Sequence, residues 1–291
     1  MVCWETDTEN TMRRLVLTLT VLVLVLAPGP APMSPLADSR KGSTEAITYV
    51  ARDYGFDGSE TIPAGITLVE MINQGHDLHQ IQFIRLPDGK TATDFNSEIM
   101  ADPSRMPSWA QRRGGPNSVI PGERAVAIIN LEPGNYVLIC GIPDRRGIPH
   151  VALGMHKPLR VEATGNRPAA APPADLTITE ADFTFALSHP ITAGLKTIHV
   201  ANEGSQAHEV VVVQLAPGSS VTDFVDAFQP GVAESPLGKP IGGLVGIEPG
   251  RDGYFRIDFA PGSYGLICFL PDIVRRAPHF TRGMLMDVKV K

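Results

Sequence analysis

One pattern in this 291-residue chain restricts its fold more than any other: the sequence repeats itself at a fixed distance. Asn73-x-Gly75-x-x-x-His79 returns as Asn202-x-Gly204-x-x-x-His208, an offset of 129, and Asp94-Phe95 returns as Asp223-Phe224 at the same offset. Gly114-Gly115, Pro121-Gly122 and Pro133-Gly134-x-Tyr136 return as Gly242-Gly243, Pro249-Gly250 and Pro261-Gly262-x-Tyr264 at 128. A unit of about 120 residues is too long for a solenoid repeat and suits one whole domain. The sequence therefore predicts two tandem copies, 45–163 and 175–291, joined by a semi-rigid Pro/Ala-rich linker over 164–174.

Within each copy, apolar runs of strand length are punctuated by Pro-Gly pairs. Strands are expected at 66–72, 79–86, 125–131 and 136–140, and again at 197–201, 209–215, 253–259 and 264–268. Many short strands with such turns point to an all-β chain of two antiparallel β-sandwiches. The middle sections, 91–112 and 220–228, show helical spacing with weak caps and predict one or two short helices each.

The same repeat carries a set of chemically active residues. Cys140, Pro149-His150 and Gly154-Met155 recur as Cys268, Pro278-His279 and Gly283-Met284. Of eight histidines, His79, His150, His208 and His279 fall at equivalent points, each pair with a matching Cys and Met. Two imidazoles, a thiolate and a thioether suit copper cycling between two oxidation states, whereas zinc favours strong ligands without a thioether. The plain alternatives are a small apolar Cys on a strand, a Cys140–Cys268 disulfide, and a metal-free module. His76, whose counterpart is Ser205, reads as a loop histidine, and His156, His189 and His199 read as ordinary surface or core residues. Trp109 and Phe224 read as helix-packing residues.

These motifs resemble those of the cupredoxins, the plastocyanin and azurin family. Asn-x-Gly-x-x-x-His is similar to that family's first-ligand segment, Pro-Gly-x-Tyr-x-x-x-Cys to the strand leading to the thiolate, and His-x4-Met to the closing ligand loop. The resemblance covers both copies and implies two tandem Greek-key, cupredoxin-like β-sandwiches with short helical insertions. It implies one copper per copy: His79, Cys140 and His150 equatorial with Met155 axial, then His208, Cys268 and His279 with Met284. The chain departs from the family in one place. Nine residues separate Cys140 from His150 and ten separate Cys268 from His279, where the family has only a few.

A composition of 43% hydrophobic and 19% charged residues excludes disorder throughout, and a net charge of −6 with no basic stripe argues against nucleic-acid binding. Arg13-Arg14, the apolar run 15–27 and a Pro/Ala/Ser stretch ending at Ala37 read as an export signal over 1–37. Glu5, Asp7 and Glu9 ahead of it suggest a true start at Met12. The chain is thus expected to be periplasmic or secreted, with a membrane anchor only if that segment stays uncleaved. The resulting expectation is a copper-binding electron carrier without bond chemistry, served by a redox partner protein. A Cu(I) store working with a copper donor or acceptor is the near alternative, and a two-domain copper oxidase or nitrite reductase is disfavoured. His-x-His is absent from the sequence, and no His adjoins either cysteine.

Overall fold

A computed structural model describes residues 46–103, 105–163, 170–228 and 237–291, which lie within one compact unit, Thr44–Lys291. The expected export segment and half of the expected linker, 164–169, lie outside the described residues. No helix among the described residues is long and apolar enough to cross a membrane.

The first half contributes β1 (Ile47–Arg52), β2 (Gly55–Asp57), β3 (Thr61–Pro63), β4 (Gly65–Asn73), β5 (Gln82–Leu86), α1 (Ala92–Ala101), β6 (Gln111–Arg112), β7 (Arg124–Leu131), β8 (Gly134–Ile139) and β9 (His156–Glu162). The second contributes β10 (Leu176–Ala181), β11 (Thr184–Leu187), β12 (Gly194–Asn202), β13 (His208–Leu215), α2 (Val221–Asp226), β14 (Gly238–Ile247), β15 (Asp252–Phe259), β16 (Gly262–Ile267) and β17 (Leu285–Val290). The chain is all-β with short helical insertions, as the sequence indicates.

Each half packs two sheets face to face. One sheet has the order β2-β1-β4-β7 in the first half and β11-β10-β12-β15 in the second. The facing sheets run β3-β9-β8-β5-β6 and β14-β13-β16-β17. Strict antiparallel pairing does not hold: β1 pairs β4, β10 pairs β12, and β3 pairs β9 in parallel. Between β1 and β4 the chain crosses to the other sheet as β3, and such a crossover lets a strand return in the same direction.

Burial explains the strand sequences. Strand β4 alternates, with Val69, Met71 and Asn73 turned inward, the signature of a sheet with one wet face. Strands β5, β8, β13 and β16 instead read as unbroken apolar runs because helices cover their outer faces. Phe95 and Ile99 of α1 pack on Ile84, Leu86, Val137 and Ile139, and Phe224 and Val225 of α2 pack on Val211, Val213 and Ile267.

The helices are shorter and better capped than expected. Thr91 and Asp94, and likewise Ser220 and Asp223, form reciprocal capping boxes with Asp where Glu or Gln is usual. After α1 the chain turns back to strand at Gln111. Trp109 does pack on the helix, edge-on to Phe95, with its Nε1–H donating to Glu98.

The two halves join into one body. Strand β7 pairs antiparallel with β15, fusing two four-stranded sheets into one of eight. Ala127 pairs with Phe255, its own counterpart at offset 128, flanked by Val126 with Arg256 and Ile128 with Tyr254. Behind it, Pro116 bridges its own counterpart Leu244, between the Arg113–Ile247 and Val119–Ile241 bridges. Both contacts are isologous, as across a pseudo-two-fold axis. The pairing buries strand edges that would otherwise be templates for aggregation. The repeated Gly-Gly lets each junction segment press onto its own half, since a Cβ on Gly115 would lie 2.1 Å from the Ile81 carbonyl oxygen and one on Gly243 2.0 Å from that of Val210, and across the junction a Cβ on Gly114 would lie 3.2 Å from Ile247 Cγ2.

Candidate metal centres

Each half gathers its four chemically active residues at one end of the sandwich. Cys140 and Cys268 follow β8 and β16 directly. Those strands are anchored by Tyr136, whose hydroxyl donates to the Glu132 carbonyl at 2.9 Å, and by Tyr264, which donates to Ala260 at 2.8 Å. This corner explains the Pro-Gly-x-Tyr motif. Both cysteines are free and buried, so the disulfide alternative falls.

The long Cys-to-His loops do not move the histidines away. The Val151 amide donates to the Cys140 carbonyl at 2.9 Å, and Phe280 donates to Cys268 at 3.0 Å. Pro143 bridges Pro149, and Pro271 bridges Pro278, so the additional residues loop out as small hairpins. A short 3-10 turn then carries each histidine, His150–Leu153 and His279–Arg282, and ends on a left-handed glycine, Gly154 or Gly283. The next residue is the methionine, fully buried in both halves and tied by its amide to the histidine carbonyl at 2.9 Å (Met155) and 3.1 Å (Met284).

The first-ligand segments have equally definite anatomy. Asn73 accepts from the Gly75 amide and donates to the Asp77 and Val119 carbonyls; Asn202 does the same with Gly204, Gln206 and Ile247. The folded segment delivers His79 and His208 to the interior. A residue pair that the sequence reading missed waits for them. Asp53 Oδ1 lies 2.6 Å from His79 Nε2, and Asp182 Oδ1 lies 3.0 Å from His208 Nε2. The adjoining aromatics, Tyr54 and Phe183, pack against His150 and His279 at 4.7 and 5.2 Å between ring centres. Asp53-Tyr54-x-Phe56 and Asp182-Phe183-x-Phe185 stand at offset 129, so the repeat contained this signal.

In each half the two Nδ1 atoms and the sulfur converge: the donor atoms of His79, Cys140 and His150 lie within 4.8 Å of one another, as do those of His208, Cys268 and His279. Cys140 Sγ is 3.5 Å from His150 Nδ1 and 3.9 Å from His79 Nδ1. In the second half Cys268 Sγ is 3.3 Å from His279 Nδ1, and the two Nδ1 atoms are 3.0 Å apart. The six donor residues are fully buried. Burial pushes the Cys140 thiol up to about 12 and the Cys268 thiol well above its ordinary value. It also lowers all four histidines, His279 to about 4.

The hydrogen-bond network assigns the tautomers in the second site. His208 must carry its proton on Nε2, where it faces the Asp182 carboxylate. His279 Nε2 faces Gln206 Oε1 at 3.1 Å, and the same oxygen accepts from the Ile273 amide, which fixes it as oxygen. Both Nδ1 atoms are therefore bare acceptors, 3.0 Å apart, which leaves no room for a water to bridge them. Two lone pairs converging in a buried site call for a shared cation. The donor set fits copper in one respect further, because soft sulfur and imidazole together are what its two oxidation states share.

The two sites are not identical. His150 Nε2 is buried without a hydrogen-bond partner, and the residue matching Gln206 is Asp77, which instead accepts from the Tyr54 hydroxyl at 3.2 Å. Near the second site lie two buried acids, Glu180 and Glu209, in place of Ala51 and Gln80. Burial, reinforced by Glu209, raises Glu180 well above the carboxylate range, and its oxygens have no partner. Of the other histidines, His76 is 97% exposed and His199 packs on Tyr254 beside Asp252.

No family model matches this chain, and no curated protein matches it in sequence. Solved structures similar to it include auracyanin from the photosynthetic bacterium Roseiflexus castenholzii, 20% identical, covering 42% of this chain and 99% of that one, TM-score 0.28. A multicopper oxidase is 14% identical over 84% of this chain and 88% of its own, TM-score 0.26. Copper nitrite reductase from Nitrosomonas europaea is 15% identical over 86% and 94%, TM-score 0.25. Each half is a β-sandwich that carries one buried His/Cys/His donor group.

The expectation of a carrier without bond chemistry is not upheld: solved structures similar to this chain include oxidases and nitrite reductases beside the auracyanins. Non-enzymatic status does not follow. The two buried His/Cys/His donor groups support copper binding.

Proposed function

We propose that this protein is an exported copper protein that holds one ion per half and transfers single electrons. The observation that carries the reading is the convergence of two imidazole Nδ1 atoms and a cysteine sulfur in each buried cluster, with both Nδ1 atoms left bare by the tautomers set from outside in the second. His79, Cys140, His150 and Met155 would hold the first ion, and His208, Cys268, His279 and Met284 the second. Copper held there supplies one electron per site by alternating between its two oxidation states.

The chain's own residues do the remainder. Asp53 and Asp182 fix ring orientation, the looped-out hairpins close the site from above, and Tyr54 and Phe183 cover the second histidines. A cluster built into two sheets and a tight 3-10 turn changes little in geometry when its charge changes, which favours electron transfer over metal release. Export is supported by the signal-like segment ending at Ala37, and the partner is a redox protein that meets the chain at its metal-bearing end.

A visible spectrum of the purified protein titrated with Cu(II), then reduced, tests the reading. A thiolate-to-copper band saturating at two ions per chain and bleaching on reduction is expected. Absence of any such band in the folded protein would overturn it.

A further inference from the structure

We infer that Asp53 and Asp182 are positioning residues which make the first histidine of each site the stronger nitrogen donor and so favour the oxidised metal. The inference rests on the copper reading above and concerns how each site is tuned.

In each half the Asp is the carboxylate hydrogen-bonded to a donor imidazole. His79 and His208 are wholly buried, while Asp53 and Asp182 keep 19% and 33% of their side chains exposed. The other donor histidine receives no comparable partner: His150 Nε2 has none, and His279 meets the neutral Gln206 oxygen. Taking the Nε2–H of an imidazole into a carboxylate fixes the tautomer with Nδ1 free and raises the basicity of that nitrogen. The two nitrogens in each site are thus made unequal by one charge.

The surrounding backbone is shaped to hold that pair. Asp53 Oδ2 accepts from the His76 amide at 2.7 Å and pairs with His76 Nδ1 at 2.8 Å, leaving Oδ1 for His79. Asp182 accepts from the Ser205 amide at 2.9 Å and from its hydroxyl at 2.5 Å. A Cβ on Gly75 would lie 2.4 Å from both Asp53 Oδ1 and His79 Nε2, and one on Gly204 2.6 Å from both atoms of the second pair. The motif glycine is the lid over this hydrogen bond. Two halves that have diverged at Tyr54/Phe183, Asp77/Gln206 and Ala51/Glu180 both retain it.

The test uses Asp53→Asn and Asp182→Asn in the full chain. Asn keeps an acceptor oxygen but removes the charge. Cu(II) affinity of the altered site should fall by roughly 10–100-fold, with Cu(I) affinity changing less. Each tenfold difference between the two corresponds to about 59 mV in that site's reduction potential. The altered site should shift upward while the other stays fixed. Ser205→Ala, which removes only a support of Asp182, should shift the second site in the same direction by less, and it serves if Asp182→Asn fails to fold. Nitrogen-15 NMR of the copper-free protein should show His79 and His208 protonated at Nε2, and Asp53→Ala should abolish that preference at His79. Folded Asn variants with unchanged potentials, or wild-type rings protonated at Nδ1, would overturn the inference. If the wild type takes no copper, the NMR result still decides the Asp–His pairing separately from the copper reading.

Discussion

Gly75→Ala is the sharpest structural test of the first site. Gly75 has no positive φ, so alanine is allowed by its backbone. The whole penalty comes from a methyl group 2.4 Å from both Asp53 Oδ1 and His79 Nε2, against a tolerable contact near 3.4 Å. The hydrogen bond beneath it must open, at about 1.5–3 kcal/mol for a bond to a charged group. Overpacking of the rigid loop adds about 1–3 kcal/mol. Together these predict a loss of about 3–5 kcal/mol in the copper-free protein, which lowers the thermal midpoint by on the order of 10 °C. Gly89→Ala is the control: that glycine has φ +83° and open space around it, so strain alone costs about 1–2 kcal/mol. Thermal unfolding followed by circular dichroism compares the two. If Gly75→Ala loses no more than Gly89→Ala, the account of the motif glycine is wrong.

Other outcomes can be checked in parallel. Cys140→Ser and Cys268→Ser should each remove half of the thiolate-to-copper absorbance, and the double variant all of it; a full-strength band in either single variant would show that the sulfur is not a ligand. Deleting 145–147 from the looped-out hairpin should leave that band in place, because the Val151-to-Cys140 hydrogen bond lies below the Pro143–Pro149 bridge. Glu209, buried and pushed up to about 7 chiefly by burial, binds a proton more tightly folded than unfolded. Its contribution to the copper-free protein is therefore present below about pH 4.5 and lost as pH rises through 7. Glu209→Gln, which copies Gln80 of the first half, should flatten that part of the stability profile and gain up to about 3 kcal/mol above pH 7; an unchanged denaturant midpoint there would contradict it. Asn117→Ala, which strips donors from the Val210 and Leu244 carbonyls across the junction, should cost about 1–3 kcal/mol in chemical denaturation.

The sequence by itself determined the repeat at a fixed offset, the all-β class and the six His and Cys residues that the fold gathers into two clusters. Each is carried by short motifs with fixed spacing, and duplication printed those motifs twice. Asp53 and Asp182 obey the same offset but were passed over, because an Asp beside an aromatic signals nothing until a histidine from 26 residues away is folded onto it. Parallel pairing of β1 with β4, the return to strand at Gln111, and the looping-out of 143–149 depend on partners distant in sequence. So does the strongest departure from two beads on a linker, the eight-stranded sheet through β7 and β15. Composition and periodicity report which face of a strand is buried, but not which edge finds which neighbour. Edge pairing, donor tautomers and the inequality of the two sites are decided by groups brought together only when the backbone has closed, which is why the tertiary structure alone supplied them.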